Sequence, residues 1–273
     1  MKKTVRIDAF PDSPFRNLER DAIVCVDVLG ATTALVTASA SGRRVLPAAT
    51  VRDAYTMADG TPDAVLAADF QGALPEGFEA QLSLAALEDS PDSDQPLIFF
   101  APPGTQLVVN SAAVPTVYLA CLRNISSTIR ALVSRHSQVA LLAAGASGAQ
   151  RCEDEMAIAR IARGLGRAGF ELEGLGTDEF VNRWAEVDIS LIGWGKSADE
   201  LRRAGRSDDL AFTLTHDDDL EDVFLYRDGE VVALSPRDLE EQLSWFHRDG
   251  ASPDVKLQRP FLGRPDHAPA PEV

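Results

Sequence analysis

The stretch Asp21-Ala-Ile-Val-Cys-Val-Asp-Val-Leu-Gly-Ala-Thr-Thr33 is an apolar, β-branched run with one internal acid that breaks into small and hydroxyl-bearing residues. Ile23–Val28 reads as a buried strand that delivers the Asp27 carboxylate to its carboxyl end. Gly30-Ala-Thr-Thr then loosens the backbone, and Thr32 or Thr33 is placed to cap a helix over residues 34–41. Strand, acid, small turn and helix is the junction at which open α/β sheets hold ligands. The plainer reading of Asp27 is a helix cap or the partner of a buried arginine.

The same junction recurs along the chain. Strands are predicted at the N-terminus, at 43–48, at 64–70 closing on Asp69, at 97–101 before Pro102-Pro-Gly-Thr105, at 116–120 before Cys121-Leu-Arg-Asn124, and at 139–144 before Gly145-Ala-Ser-Gly148. Helices are predicted at 50–57, 129–134, 153–164, 177–184 and 197–203, where apolar residues recur at helical spacing or a cap signal opens the segment. Leu210–Thr215, Val223–Tyr226 and Val231–Leu234 read as strands around the acidic loop His216-Asp-Asp-Asp219. This alternation predicts an α/β fold of three α/β/α layers around a largely parallel or mixed central sheet. One domain is expected over residues 1–234. A C-terminal extension, 235–273, should form a short helix (237–246) followed by a Pro-rich tail from Pro260.

Composition narrows the function. Of 273 residues, 26 are basic and 42 acidic, giving a formal net charge of -16. Such a surface repels nucleic acid and anionic lipid, so a phosphorylated ligand needs a local cation. The three cysteines, Cys25, Cys121 and Cys152, form no C-x-x-C pair and suggest neither a disulfide framework nor structural zinc. A cytoplasmic location follows as an expectation. Neither a signal peptide nor a membrane span is expected, since the apolar tracts are shorter than the roughly 18 residues a span needs.

Common catalytic signatures are missing. Gly164-Leu-Gly-Arg-Ala-Gly169 matches G-x-G-x-x-G, but it closes a predicted helix where a dinucleotide site would open one. There is no P-loop, no H-E-x-x-H and no G-x-S-x-G. What remains is a set of carboxylates near predicted turns: Asp27, Asp69, Glu79, Glu153 and Asp154. Oxygen ligands of this kind suit Mg²⁺, while Thr32, Thr33, Gly104, Thr105, Gly145, Ser147 and Gly148 could offer hydroxyls and helix-start N–H groups to an anion. Acids as helix caps and glycines as turn formers would explain the same residues without a ligand.

The order of these segments resembles the 2-phosphosulfolactate phosphatase family, Mg²⁺-dependent enzymes that release sulfolactate and phosphate from phosphosulfolactate. Asp27-Val-Leu-Gly-Ala-Thr-Thr33 resembles the family's D-V-L-R-A-[ST]-T, Ala68-Asp69 its A-G-E, and Gly77-Phe-Glu-Ala-Gln-Leu-Ser-Leu84 its G-F-D-x-G-N-S-P. Pro103-Gly-Thr105 is similar to N-G-T, Asn124-Ile-Ser126 to N-A-S, and Gly145-Ala-Ser-Gly148 with Glu153-Asp154 to G-T-x-G followed by E-D. The likeness extends over roughly residues 1–234. Gly30 stands where the family has Arg, Leu82 falls in the family's G-N-S-P, and Pro103 replaces the Asn of N-G-T.

The resemblance implies a phosphatase acting on a small phosphorylated acid. It implies Asp27, Asp69, Glu153 and Asp154 as catalytic candidates, with Asp27, Asp69 and Glu79 as Mg²⁺ ligands. Thr32, Thr33, Gly104, Thr105, Asn124 and Ser126 are the candidate substrate-binding residues. The partner is then a small anionic substrate, with no nucleic acid or membrane, and the chain could work as a homo-oligomer. A family-like fold that has lost catalysis and serves as a binding or scaffold protein is the competing expectation.

Overall fold

The computed structural model describes residues 2–9, 13–69, 74–78, 80–81, 83–88, 95–145 and 149–240. Eleven strands join in one sheet. They are β1 (Thr4–Asp8), β2 (Ala22–Val26), β3 (Val45–Pro47), β4 (Val65–Ala68), β5 (Ala80–Gln81), β6 (Leu97–Phe100), β7 (Val117–Ala120), β8 (Gln138–Ala143), β9 (Glu171–Glu173), β10 (Val223–Arg227) and β11 (Glu230–Leu234). The helices are α1 (Ser13–Arg16), α2 (Ala31–Ala40), α3 (Val51–Asp59), α4 (Leu84–Glu88), α5 (Gly104–Asn110), α6 (Ile125–Arg135), α7 (Cys152–Arg167), α8 (Thr177–Trp184), α9 (Lys196–Arg203) and α10 (Ser207–Thr215).

The spatial order is β5-β4-β6-β3-β11-β10-β7-β2-β8-β1-β9. Within β5-β4-β6-β3 and within β7-β2-β8-β1-β9 every pairing is parallel. Between the blocks, β3 pairs antiparallel with β11, β11 with β10, and β10 with β7. Three successive reversals leave the two parallel blocks running in opposite directions, joined by a hairpin. Asp228 and Gly229 turn that hairpin at φ 52° and 88°, the left-handed pair that a two-residue connection requires.

The opening stretch lies near the centre of the larger block. All five residues of β2 are buried, as expected of a strand with parallel neighbours on both sides and helices on both faces. Its side chains alternate between layers: Val24 and Val26 pack with α6 and α7, Ile23 and Cys25 with α2 and α5. A third apolar cluster, around Leu46, Leu66, Ile98 and Phe100, covers the smaller block beneath α3. The architecture is therefore α/β/α, with a mixed but largely parallel sheet.

Two local expectations change. Leu210–Thr215 belongs to α10 and is not a strand. Leu210, Phe212 and Leu214 alternate like a strand, but six residues cannot separate a period of 2 from one of 3.6. Asp208 and Asp209 in the first turn, and packing against α9 and α4, settle it as helix. Thr32 and Thr33 do not cap α2 either: they lie inside its first turn, after Gly30 at the N-cap position. Gly164–Gly169 does end a helix, with Gly169 at φ 90° just beyond α7. Of the predicted 237–246 helix, residues 237–240 are helical and the remainder lies outside the described residues, as do Pro260 and the tail, Glu79, Leu82, Ser147 and Gly148.

Candidate functional site

Asp27 sits just past the end of β2, and its Oδ2 accepts the Ala31 N–H at 2.9 Å. The plainer reading of this acid is thus correct in part, because it does tie down the first turn of α2. Thr32 supports the same turn: its hydroxyl receives the Asp27 N–H at 2.9 Å and bonds the Asp27 and Ala120 carbonyls at 2.9 and 2.8 Å. Thr33 donates to the Val28 carbonyl at 2.5 Å. Buried hydroxyls spent on backbone groups in this way hold the strand-to-helix bend in shape.

Two glycines close around the carboxylate. A methyl group on Gly104, the first residue of α5, would lie 1.9 Å from Asp27 Oδ2 and 2.6 Å from Ala31 Cβ. One on Gly30 would lie 2.4 Å from Asp27 Oδ1. The junction after β6 is thereby brought onto the junction after β2, across the reversal of strand direction. Gly30, where the family pattern has Arg, has no room for a side chain while Asp27 holds this position.

The other acids reach the site from separate elements. Glu153 and Asp154 occupy the first turn of α7, both 2% exposed, and Asp154 Oδ1 accepts the Val28 N–H at 2.8 Å. Asp69 follows β4, and one of its oxygens is held by Arg206 Nη1 at 2.6 Å. Burial is the main reason the Asp27 carboxyl is pushed up to about 7; the charges of Asp69 and Glu153 add to the rise, while the Ala31 N–H and Arg151 oppose it. Burial, then Asp27 and Glu153, likewise push Asp154 well above the ordinary carboxylate range. Asp27 thus feels the charges of Asp69 and Glu153, and Asp154 those of Asp27 and Glu153, although no three of the four bring ligand atoms within 4.8 Å of one another.

Beside Asp69 opens a small cleft lined by Gly30, Asp69, Phe99, Leu201, Arg206 and Asp209 among others. Arg206 also bonds Asp209 Oδ2 at 2.7 Å, and Asp209 Oδ1 accepts the Leu84 N–H at 2.7 Å. Arg151 and Arg206 are the basic residues that the sequence reading missed. An isolated Arg has no sequence signature that announces burial; the only available signal was the position of Arg151 two residues before Glu153-Asp154.

The remaining candidates are committed to other partners. Thr105 is buried and receives the Ala101 N–H, and Asn124 is buried with its amide bonded to Cys121 N–H and the Leu119 carbonyl. Ser126 opens α6 and pairs with the Asp218 carboxylate through both its N–H and its hydroxyl. Among the described residues, one trio brings three metal-type ligand atoms within 4.8 Å of one another: Glu88, His216 and Asp219. There the Arg123 guanidinium already bonds Glu88 and Asp219, at 3.0 and 2.6 Å, and fills the place of a cation.

Residues 10–229 match the family described as 2-phosphosulpholactate phosphatase. The chain belongs to that family. Its members are named as phosphatases, hydrolases of phosphoric monoesters. A relative from Symbiobacterium thermophilum, named as a probable 2-phosphosulfolactate phosphatase, is 27% identical over 81% of this chain and 97% of its own length. One from Caldanaerobacter subterraneus with the same name is 26% identical over 74% of this chain and 86% of its own. The match thus runs from just after β1 to the turn of the β10–β11 hairpin. Among the described residues, no helix is long and apolar enough to cross a membrane.

Proposed function

We propose that the chain is a Mg²⁺-dependent phosphatase that cleaves a small phosphorylated acid of the phosphosulfolactate type to the hydroxy acid and phosphate. The observation that carries this reading is the burial of Asp27, in a slot that Gly30 and Gly104 leave open for its carboxylate, within reach of the charges of Asp69 and Glu153, with Asp154 buried beside Asp27 and Glu153, so that acids from three different junctions act on one another. Their charge supports a bound cation: Arg151 and Arg206 are the cations beside four acids, and each is also paired with a further one, Glu200 or Asp209. A fold that buries carboxylates against one another in this way leaves net negative charge for a divalent ion to neutralise. An all-oxygen donor set suits Mg²⁺, which uses one or two carboxylates and keeps its other positions for water and phosphate.

Asp27 and Asp69 are the residues that would hold the ion, with Glu79 as a third candidate. When bound, the ion would supply charge neutralisation to the phosphoryl oxygens and acidity to a water molecule. The chain's own residues do the rest. Asp154, fixed by the Val28 N–H, locks the start of α7 against the end of β2. That lock holds Glu153 beside the Asp27 carboxylate, where it can take a proton from an attacking water. Arg206 steadies Asp69 at the cleft, whose apolar wall of Phe99 and Leu201 shelters the organic part of the substrate.

Phosphate release from a panel of small phosphoesters, phosphosulfolactate included, with and without Mg²⁺, tests the proposal. Turnover should require the ion and fall at least about 100-fold in Asp27→Asn. A chain without turnover on any ester would fit the competing reading, a binding protein on the same fold. One observation favours that reading: the hydroxyls of Thr32 and Thr33 and the amide of Asn124 are spent on the backbone. A rise in melting temperature with phosphate in Mg²⁺, without turnover, would establish it.

A further inference from the structure

Arg151 stands immediately before α7 and is only 5% exposed. Its Nη2 reaches both Glu200 oxygens, at 3.3 and 3.4 Å, long for a charged pair. Its Nε and Nη1 are buried and have no hydrogen-bond partner. Arg123 shows how this fold satisfies a buried guanidinium: its Nε, Nη1 and Nη2 all donate, to Asp219, Thr37 and Glu88. Leaving charged donors unmet destabilises the fold and brings it no gain of its own. Donors kept in that state are primed for an acceptor that arrives from outside.

Position and charge narrow that acceptor. Arg151 directly precedes α7, whose first turn carries Glu153 and Asp154, so it lies at the edge of the acid cluster; its charge opposes the rise of the Asp27 carboxyl, which burial chiefly causes. A phosphoryl group approaching these acids is repelled unless a cation receives it. Arg206 is committed to Asp69 and Asp209 by short bonds of 2.6 and 2.7 Å, whereas Arg151 has two nitrogens to give. Both are sealed from water, so a shift of the atoms covering them must admit the anion, which then meets donors with no hydration shell to strip.

We propose that Arg151 is the oxyanion-binding residue of this site, with Nε and Nη1 receiving oxygens of the phosphoryl group and, after cleavage, of the product phosphate. Glu200 meets only Nη2, at 3.3 and 3.4 Å, so a Gln there leaves the two free donors in place. The inference rests on the phosphatase reading for the identity of the anion, but the binding itself is measurable without turnover.

Calorimetric titration of inorganic phosphate into the full chain, with magnesium chloride present, tests it on wild type, Arg151→Gln, Arg151→Lys and Glu200→Gln. Phosphate binding should weaken about tenfold or more in Arg151→Gln, weaken less in Arg151→Lys, and stay within about twofold in Glu200→Gln. Wild type that binds no phosphate, an unchanged Kd in Arg151→Gln, or equal losses in Arg151→Gln and Glu200→Gln would each overturn the assignment. Should Arg151→Gln not fold, Arg151→Lys against Glu200→Gln decides: the Lys variant must bind more weakly than the Gln variant of Glu200. Methanesulfonate separates the source of the anion, since displacement of phosphate by methanesulfonate at equal concentration would move Arg151 to the acid group of the substrate and overturn its phosphoryl role. Absence of phosphate release from every ester would remove the hydrolytic reading while leaving an Arg151-dependent Kd intact. Turnover alongside an unchanged Kd would remove Arg151 alone.

Discussion

Replacing Gly104 with alanine is the most direct probe of how the two junctions meet. The new methyl carbon would sit 1.9 Å from Asp27 Oδ2 and 2.6 Å from Ala31 Cβ, against the roughly 3.5 Å at which such atoms rest. Asp27 must therefore move by about 1.6 Å and the start of α2 by about 0.9 Å. Overpacking of this kind costs about 1–3 kcal/mol, and release of the Asp27–Ala31 hydrogen bond adds about 1 kcal/mol, for a loss of about 2–4 kcal/mol. Urea unfolding would measure it, with Gly60→Ala as the control, because a methyl there meets nothing nearer than 3.7 Å. Phosphate release should fall at least about 100-fold in Gly104→Ala, since a shift near 1 Å in a reacting carboxylate has that effect. Adding Asp27→Ala removes the nearer of the two clashes, so the double variant should regain about 1 kcal/mol relative to the sum of the singles. A Gly104→Ala chain within about 0.5 kcal/mol of wild type and fully active would show that α5 and β2 are not locked as described.

Three further outcomes are expected. His136 is half-buried, its Nε2 is 2.8 Å from the Tyr118 hydroxyl, and burial pushes its pKa down from 6.5 to about 4. Because the unfolded chain takes up this proton first, stability should be complete above pH 6.5 and decline by about 3 kcal/mol as pH falls to 4; denaturant melts across that window should be flatter in His136→Phe. Glu173 forks Arg20 at 2.9 and 2.6 Å, and that bond is the main cause of its pKa falling to about 2. Glu173→Gln should lose about 2 kcal/mol at pH 7; the native contribution is present above about pH 4.5 and lost as pH drops through about 2, so the two chains should converge in acid. Arg123→Met removes bonds to Thr37, Glu88 and Asp219; it should cost about 2–4 kcal/mol in melts, and metal-ion titrations could then reveal cation binding at Glu88, His216 and Asp219.

How far the sequence could be read follows from the kind of signal each feature leaves. β2, β6, β7 and β8 announce themselves because burial on both faces demands uninterrupted apolar residues over a few positions. The edge strand β9, Glu-Leu-Glu, has no such demand on it and leaves no trace. Direction is equally silent: nothing local says that β10 and β11 reverse the sheet between its two blocks. At the site, Asp27, Asp69 and Glu153-Asp154 were legible as acids at turns. Thr32, Thr33, Thr105 and Asn124 looked alike in sequence whether they faced a ligand or a backbone carbonyl, and the structure gives them to the backbone. Arg151 and Arg206 were illegible, because their burial is a property of packing between elements far apart in the chain.

The hairpin at the seam sets the order in which the molecule can be completed during synthesis. β3 and β7 each leave the ribosome long before β10 and β11, the strands that lie between them. Until residue 234 emerges, the nascent chain has two half-sheets with open flanks, and one of its closing contacts to β3 is the single Val231–Val45 pair. Late, non-local closure of this kind is slow and exposes pairing-competent backbone to other chains. Ribosome stalling or truncation shortly before residue 223 should therefore yield aggregation and chaperone capture, even though most of both apolar layers has already been made.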